Sequence, residues 1–311
     1  MDDRSGRGRA SLSIALCAIL LTACGTSGPA SPSAPPISPA PSSAALPSAT
    51  PPAATPVPTP DDSLHLVVIG DSIPFGGHFC PGCTAFVARY AADLETRIGR
   101  PVTVVNRSRD DGAGMAQIEE QVTKDETTRA QIAAADVVIV SVGYNNALPD
   151  ATTGVGCKGD MGQTIESYVT WALATKPACL KAGIDTYAAQ YDRIFSAITE
   201  LRKGAPTLYA AINVHDGNLG DPAFVGADLS AKTRTALDRW IVAAYERWNP
   251  MLCDKAKQHG FACVDVYHAF NGPKGDKPSG ANTIDGAHPS QAGNDIIAAL
   301  LARLDTAAIS R

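Results

Sequence analysis

Short runs of branched apolar residues alternate with stretches of helical spacing from Leu64 to Leu304. The first run, Leu64–Gly70, contains Leu66-Val67-Val68-Ile69 without a polar interruption and stops at Gly70-Asp71-Ser72. An unbroken apolar run of this kind predicts a strand buried on both faces, as in a parallel sheet. Ile73-Pro74-Phe75-Gly76-Gly77 cannot extend it, because proline and paired glycines interrupt a ladder. Cys83–Ile98 carries Phe86, Val87, Tyr90, Leu94 and Ile98 at three- and four-residue steps, which predicts a helix. Pro101–Asn106 reads as a second strand, Arg107–Gly114 as a polar glycine-bearing loop, and Met115–Ala134 as one helix. Asp136–Val142 is the third strand and ends in Gly143-Tyr144-Asn145-Asn146. Ala147–Ile184 is glycine-rich and predicts a long insertion, leaving directly from Asn145 and so placed to wall a pocket. Asp185–Lys203 reads as a helix stopped by Gly204, and Thr207–Asn213 as the fourth strand. Val214–Val225 is a loop, Leu229–His259 a helix broken near Pro250, Phe261–Tyr267 the fifth strand, and Pro289–Leu304 the last helix. Strict alternation of strand and helix predicts an α/β fold, a parallel five-stranded sheet with helices on both faces.

Upstream of this pattern the chain changes character. Arg4, Arg7 and Arg9 precede the apolar run Ala10–Leu21, which ends in Leu21-Thr22-Ala23-Cys24-Gly25. The run is short for a bilayer span and matches an export signal better. Its small residues before Cys24 resemble the lipobox of bacterial lipoproteins, which implies lipidation of Cys24. Residues 25–62 are almost entirely Pro, Ser, Ala and Thr, a composition too poor in large apolar groups to build a core. At about 3 Å per residue, such a tether reaches roughly 100 Å when extended. The expected organisation is a signal segment over 1–24, a linker over 25–62 and one folded domain over 63–311. The expected location is the outer face of a bacterial membrane, with secretion as the alternative.

The chain has 311 residues and a formal net charge of −5, which gives no support to nucleic-acid binding. Six cysteines fall in the folded part: Cys80, Cys83, Cys157, Cys179, Cys253 and Cys263. In an exported chain an even number favours disulfides. Proximity in sequence points to 80 with 83, 157 with 179 and 253 with 263, among fifteen formal pairings. Cys80-Pro81-Gly82-Cys83 also has the spacing of a redox centre or half a metal site, but no second ligand pair accompanies it.

Polar residues sit at corresponding places after several strands: Ser72 after the first, Gly112 and Gly114 after the second, Asn145 after the third, Asp285 and His288 after the fifth. In a parallel sheet these loops open on one edge. A serine hydroxyl needs an adjacent base to become a nucleophile, and His288 is a candidate because imidazole titrates near neutrality. Asp285, three residues earlier, can orient the ring. The backbone N–H of Ser72, an N–H of the glycine loop and the Asn145 amide are candidate oxyanion donors. His215 reads as an ordinary loop histidine.

Gly70-Asp71-Ser72-Ile73, Gly143-Tyr144-Asn145-Asn146 and Asp285-Gly286-Ala287-His288 resemble, in order, the first, third and last sequence blocks of the SGNH hydrolases, also called GDSL esterases and lipases. The resemblance implies a flavodoxin-like three-layer α/β/α fold and carboxylic ester hydrolysis without metal or cofactor. It implies Ser72, His288 and Asp285 as the triad, and Ser72, Gly112 and Asn145 as the oxyanion hole, with Gly114 the alternative to Gly112. Asn146 stands where that family usually has Asp, a position of structural importance. The implied partners are an ester substrate, small, lipid or acylated glycan, and a membrane through the lipid anchor; a monomer is expected. The competing readings are an envelope binding protein on the same scaffold with a dead triad, and, more distantly, a disulfide oxidoreductase using Cys80 and Cys83.

Overall fold

A computed structural model describes residues 62–76, 79–146, 165–174, 177–220 and 228–310. The signal-like segment with Cys24, the linker, and the Cys157–Cys179 pairing lie outside the described residues. Five strands form the sheet: β1 (Leu64–Gly70), β2 (Val102–Asn106), β3 (Val137–Ser141), β4 (Leu208–Ile212) and β5 (Ala262–Val264). Their order is β2-β1-β3-β4-β5, and every neighbouring pair is parallel.

Side chains alternate across the pleat and therefore feed two cores. Leu66, Val68, Val137 and Ile139 pack on Tyr90 and Leu94 of α2 (Phe86–Ile98) and on Ile297 and Leu301 of α9 (Gln291–Leu301). Val67, Ile69, Val138 and Val140 pack on the other side, against α3 (Met115–Lys124), α6 (Pro177–Leu201) and α7 (Ala231–Gln258). Burial on both faces explains why β1 from Leu66 and all of Val137–Val140 in β3 read as unbroken apolar runs. The edge strand β2 is half exposed, so its pattern is weaker.

Several boundaries differ from the periodicity. The span 115–134 is two helices, because Asp125 adopts an extended backbone and its Oδ1 accepts the Thr128 N–H at 2.6 Å, capping α4 (Glu126–Ala134). The inserted segment contains α5 (Ile165–Ala174), and α6 begins at Pro177, ahead of the expected start at Asp185. Trp171 of α5 meets Trp240 of α7 edge-on at 5.7 Å, so aromatic burial holds this part of the insertion to α7. Helix α7 continues through Pro250. The missing amide costs about 3 kcal/mol. Burial of Tyr245, Trp248 and Leu252 offsets it, as do two 2.9 Å bonds between the Asn249 amide and the backbone of Val214. The fifth strand is short. Asp265 and Asn213 accept the first N–H groups of α8 (Val266–Asn271), turning the chain from strand to helix. Ser72 opens a one-turn helix, α1 (Ser72–Phe75).

Chain order runs outward from β1 to β2, then returns to β3 on the other side of β1. Such a reversal leaves a crevice at the carboxyl ends of β1 and β3. Asp71-Ser72 and Gly143–Asn146 emerge there.

Candidate active site

Asp71 is the frame of the site. Its backbone N–H donates to Ser141 O at 3.1 Å, and its side chain is 1 % exposed. Oδ1 accepts the Ile73 N–H at 3.1 Å and so caps α1. Oδ2 accepts the N–H groups of Gly143 at 3.2 Å and Tyr144 at 3.1 Å. Burial lifts its carboxyl to about 6 in spite of these donors. One carboxylate thus fixes the start of α1, where Ser72 stands, against the turn that carries Asn145.

The other half of the site comes from a loop between β5 and α9. Thr283 bridges Pro289, and the Ile284 N–H donates to His288 O at 2.9 Å, so the intervening residues form a closed bend. Inside it, Asp285 Oδ1 accepts the N–H groups of Ala287 at 3.0 Å and His288 at 2.7 Å. Asp285 Oδ2 lies 2.7 Å from His288 Nδ1. A carboxylate only accepts, so Nδ1 carries a proton, and in the neutral ring the lone pair then lies on Nε2. His288 Nε2 lies 3.0 Å from Ser72 Oγ, across 216 residues of chain. Burial works against charge on Asp285, but hydrogen bonds from the His288 ring and backbone and from Ala287 hold its carboxyl below the usual range. The structure therefore brings Ser72, His288 and Asp285 into one hydrogen-bonded chain.

Asn145 and Asn146 clasp the glycine loop from the third strand. Asn145 Nδ2 donates to Ala113 O at 2.9 Å, and Asn146 Oδ1 accepts the Met115 N–H at 2.7 Å. The Asn145 bond uses one of two amide hydrogens and leaves the exposed side chain a second donor. Asn146 makes the same kind of contact an Asp could make, acceptance of a backbone N–H. Gly112 is exposed with φ +76°, a conformation glycine adopts freely. Gly114 is buried, and its N–H already donates to Gln117 Oε1 at 3.1 Å.

His215, in the loop after β4, is not the plain loop residue its sequence context suggested. It is 2 % exposed, and Nε2 lies 2.7 Å from Ala287 O. Burial pushes its pKa down to about 4, and neighbouring His288 adds to that, so the ring is neutral at neutral pH. A carbonyl accepts, so Nε2 carries the hydrogen. Two residues on, Gly217 packs so tightly that a Cβ there would lie 2.0 Å from Gly286 O. The loop after β4 thus braces the backbone that presents His288. The one sequence signal for this was position: His215 follows a strand on the ligand-bearing edge.

Cys80 is bonded to Cys83, and Cys253 to Cys263, the latter joining α7 to β5. Among the described residues, no three His, Cys, Asp or Glu side chains gather as a metal site.

The sequence model of the GDSL-like Lipase/Acylhydrolase family matches residues 68–296. No curated protein matches the chain. Among solved structures, the chain is similar to the lipase Lip_vut3 from a goat rumen metagenome, with TM-score 0.54 and 18% identity, over 77% of this chain and 96% of that one. It is also similar to a putative GDSL-like lipase from Parabacteroides merdae, with TM-score 0.51 and 16% identity, over 78% and 94% of the two chains. At these identities the likeness is one of fold.

Proposed function

The chain belongs to the GDSL-like lipase/acylhydrolase family and is a carboxylic ester hydrolase; within that class, we propose that it works through a Ser72–His288–Asp285 triad and a covalent acyl-enzyme. The single observation that carries the mechanism is the 3.0 Å contact between Ser72 Oγ and His288 Nε2. In the proposed cycle His288 takes the hydroxyl proton as Ser72 attacks the ester carbonyl. Asp285 holds the ring tautomer and stabilises the imidazolium. The proton then passes to the leaving alcohol, and water repeats the sequence to release the acid.

The oxyanion of each tetrahedral intermediate is assigned to the N–H of Ser72, the N–H of Gly112 and the free amide hydrogen of Asn145. The engaged N–H of Gly114 supports Gly112 as the loop donor. Fluorophosphonate labelling tests the mechanism: the intact protein should be labelled at Ser72, and Ser72→Ala should lose both label and ester cleavage while staying folded. An active Ser72→Ala variant would refute it. An unreactive wild-type protein would count against an acyl-enzyme on Ser72.

The Arg-led apolar start ending at Cys24 supports placement on the outer face of a membrane by a lipid on that cysteine. Cys24→Ala should then move the enzyme from the membrane fraction to the medium. A secreted wild-type protein would instead support simple export.

A further inference from the structure

We propose that Phe79 is a positioning residue for His288, holding the imidazole in line between Ser72 and Asp285. The proposal rests on the triad reading above. The two rings lie face to face, with centroids 3.7 Å apart and planes 5° from parallel. Within the triad, Asp285 and Ser72 hold the imidazole ring of His288 by its two ring nitrogens. Two in-plane hydrogen bonds leave rotation about their common line free; a flat ring on the imidazole face removes it and excludes water from that face.

The ring has a firm mount. Phe79 is followed at once by the Cys80–Cys83 disulfide, whose turn is closed by a 3.0 Å bond from Cys83 N to Cys80 O. Just beyond, Gln291 Oε1 accepts the Thr84 N–H and Asn294 Oδ1 accepts the Phe86 N–H, each at 2.8 Å. Gln291 and Asn294 belong to α9, which begins three residues after His288. Both halves of the stack therefore share one support. Ser72, Phe79, Cys80, Cys83 and His288 line one small cleft.

The energetic consequence follows from charge. A neutral imidazole on a phenyl ring gains dispersion and desolvation alone. Once it holds the serine proton, it becomes a cation over the negative face of an aromatic ring, a contact that attracts further. The gain arises as the transition state forms, so it acts on kcat and not on KM.

The test compares Phe79→Leu, which keeps an apolar cover, with Phe79→Tyr, which keeps the π face. Phe79→Leu should lower kcat about tenfold, with KM within about twofold, because the lost contact is made in the transition state. Phe79→Tyr should restore kcat. Cys80→Ser/Cys83→Ser, which frees the mount, should reproduce the leucine phenotype, and unchanged kcat would overturn the disulfide's part. Phe79→Leu at wild-type kcat, or Leu and Tyr equally impaired, would overturn the role of Phe79. Ser72→Ala separates the two readings. If it is inactive while Phe79→Leu matches wild type, the triad stands and this inference falls; if it is active, both fall.

Discussion

The neutral ring of His215 donates to the carbonyl oxygen of Ala287 at 2.7 Å, one residue before the histidine that faces Ser72. A buried side chain on one loop thereby holds the backbone of another. The acceptor sits in the bend that Asp285 closes through its bonds to the N–H groups of Ala287 and His288.

Replacing His215 with leucine should leave the Ala287 carbonyl without this donor, at a cost of about 1–3 kcal/mol in stability. The bend carrying His288 should loosen, and kcat should fall about tenfold, equivalent to about 1.4 kcal/mol. His215→Gln, which can still donate, should recover most of the loss. Steady-state kinetics on the three proteins, with thermal melts as a fold control, check this. Equal kinetics for leucine and wild type would contradict it.

Stability should carry the signature of His215 at acid pH. Burial lowers this ring from 6.5 to about 4. Between those values the unfolded chain binds a proton that the native ring does not, so the ring's contribution is lost as pH falls. Asp71 and Asp216, lifted by burial from 3.8 to about 6, act oppositely, because there the native state holds the extra proton. The difference in unfolding free energy between wild type and His215→Asn isolates the histidine. It should shrink by on the order of 3 kcal/mol from pH 6.5 to pH 4. Urea titrations across that range measure it, and a difference independent of pH would count against a buried neutral ring.

Asp71→Asn should destabilise the domain by roughly 2–4 kcal/mol. An amide can still accept from Ile73, but its NH2 group would then face the N–H donors of Gly143 and Tyr144. The loss should reach kcat as well, because the same carboxylate joins the Ser72 turn to the Asn145 turn. Urea midpoints and kcat measured on one preparation should fall together.

Asn146→Asp should be nearly silent, within about 1 kcal/mol, because the bond observed requires only an acceptor for the Met115 N–H. Asn146→Leu removes that acceptor and should cost about 1–3 kcal/mol, since it leaves a buried donor unpaired. Denaturation of the two variants beside wild type distinguishes a structural acceptor from a catalytic group. A large kcat change in Asn146→Asp at unchanged stability would argue for the latter.

The strands that build the centre of the sheet were legible residue by residue. Leu64–Gly70 was placed correctly because burial on both faces leaves Leu66-Val67-Val68-Ile69 without a polar position, and that condition is written in consecutive residues. Gly-Asp-Ser and Asp-x-x-His were legible for a similar reason, since each is a local grouping whose neighbours supply its geometry. The split at Asp125 and the strand-to-helix change at Asp265 were less so. In both cases capping side chains, Asp125 in the first and Asp265 with Asn213 in the second, outweighed an apolar period that ran past them.

By itself, then, the sequence determined an alternating α/β chain, the segments that enter the sheet, and which hydroxyl, imidazole and carboxylate lie at its ligand-bearing edge. Only the tertiary structure decided that a histidine after the fourth strand is buried against Ala287, that Pro250 stays inside a helix, and that a phenyl ring beside a disulfide covers the imidazole of His288. Periodicity and capping act over a few residues and leave a trace in the local order of side chains. Contacts such as His215 with Ala287, or Phe79 with His288, join positions far apart in the chain. Their partners are chosen by how the finished sheet stacks its loops, and no short window of residues carries that information.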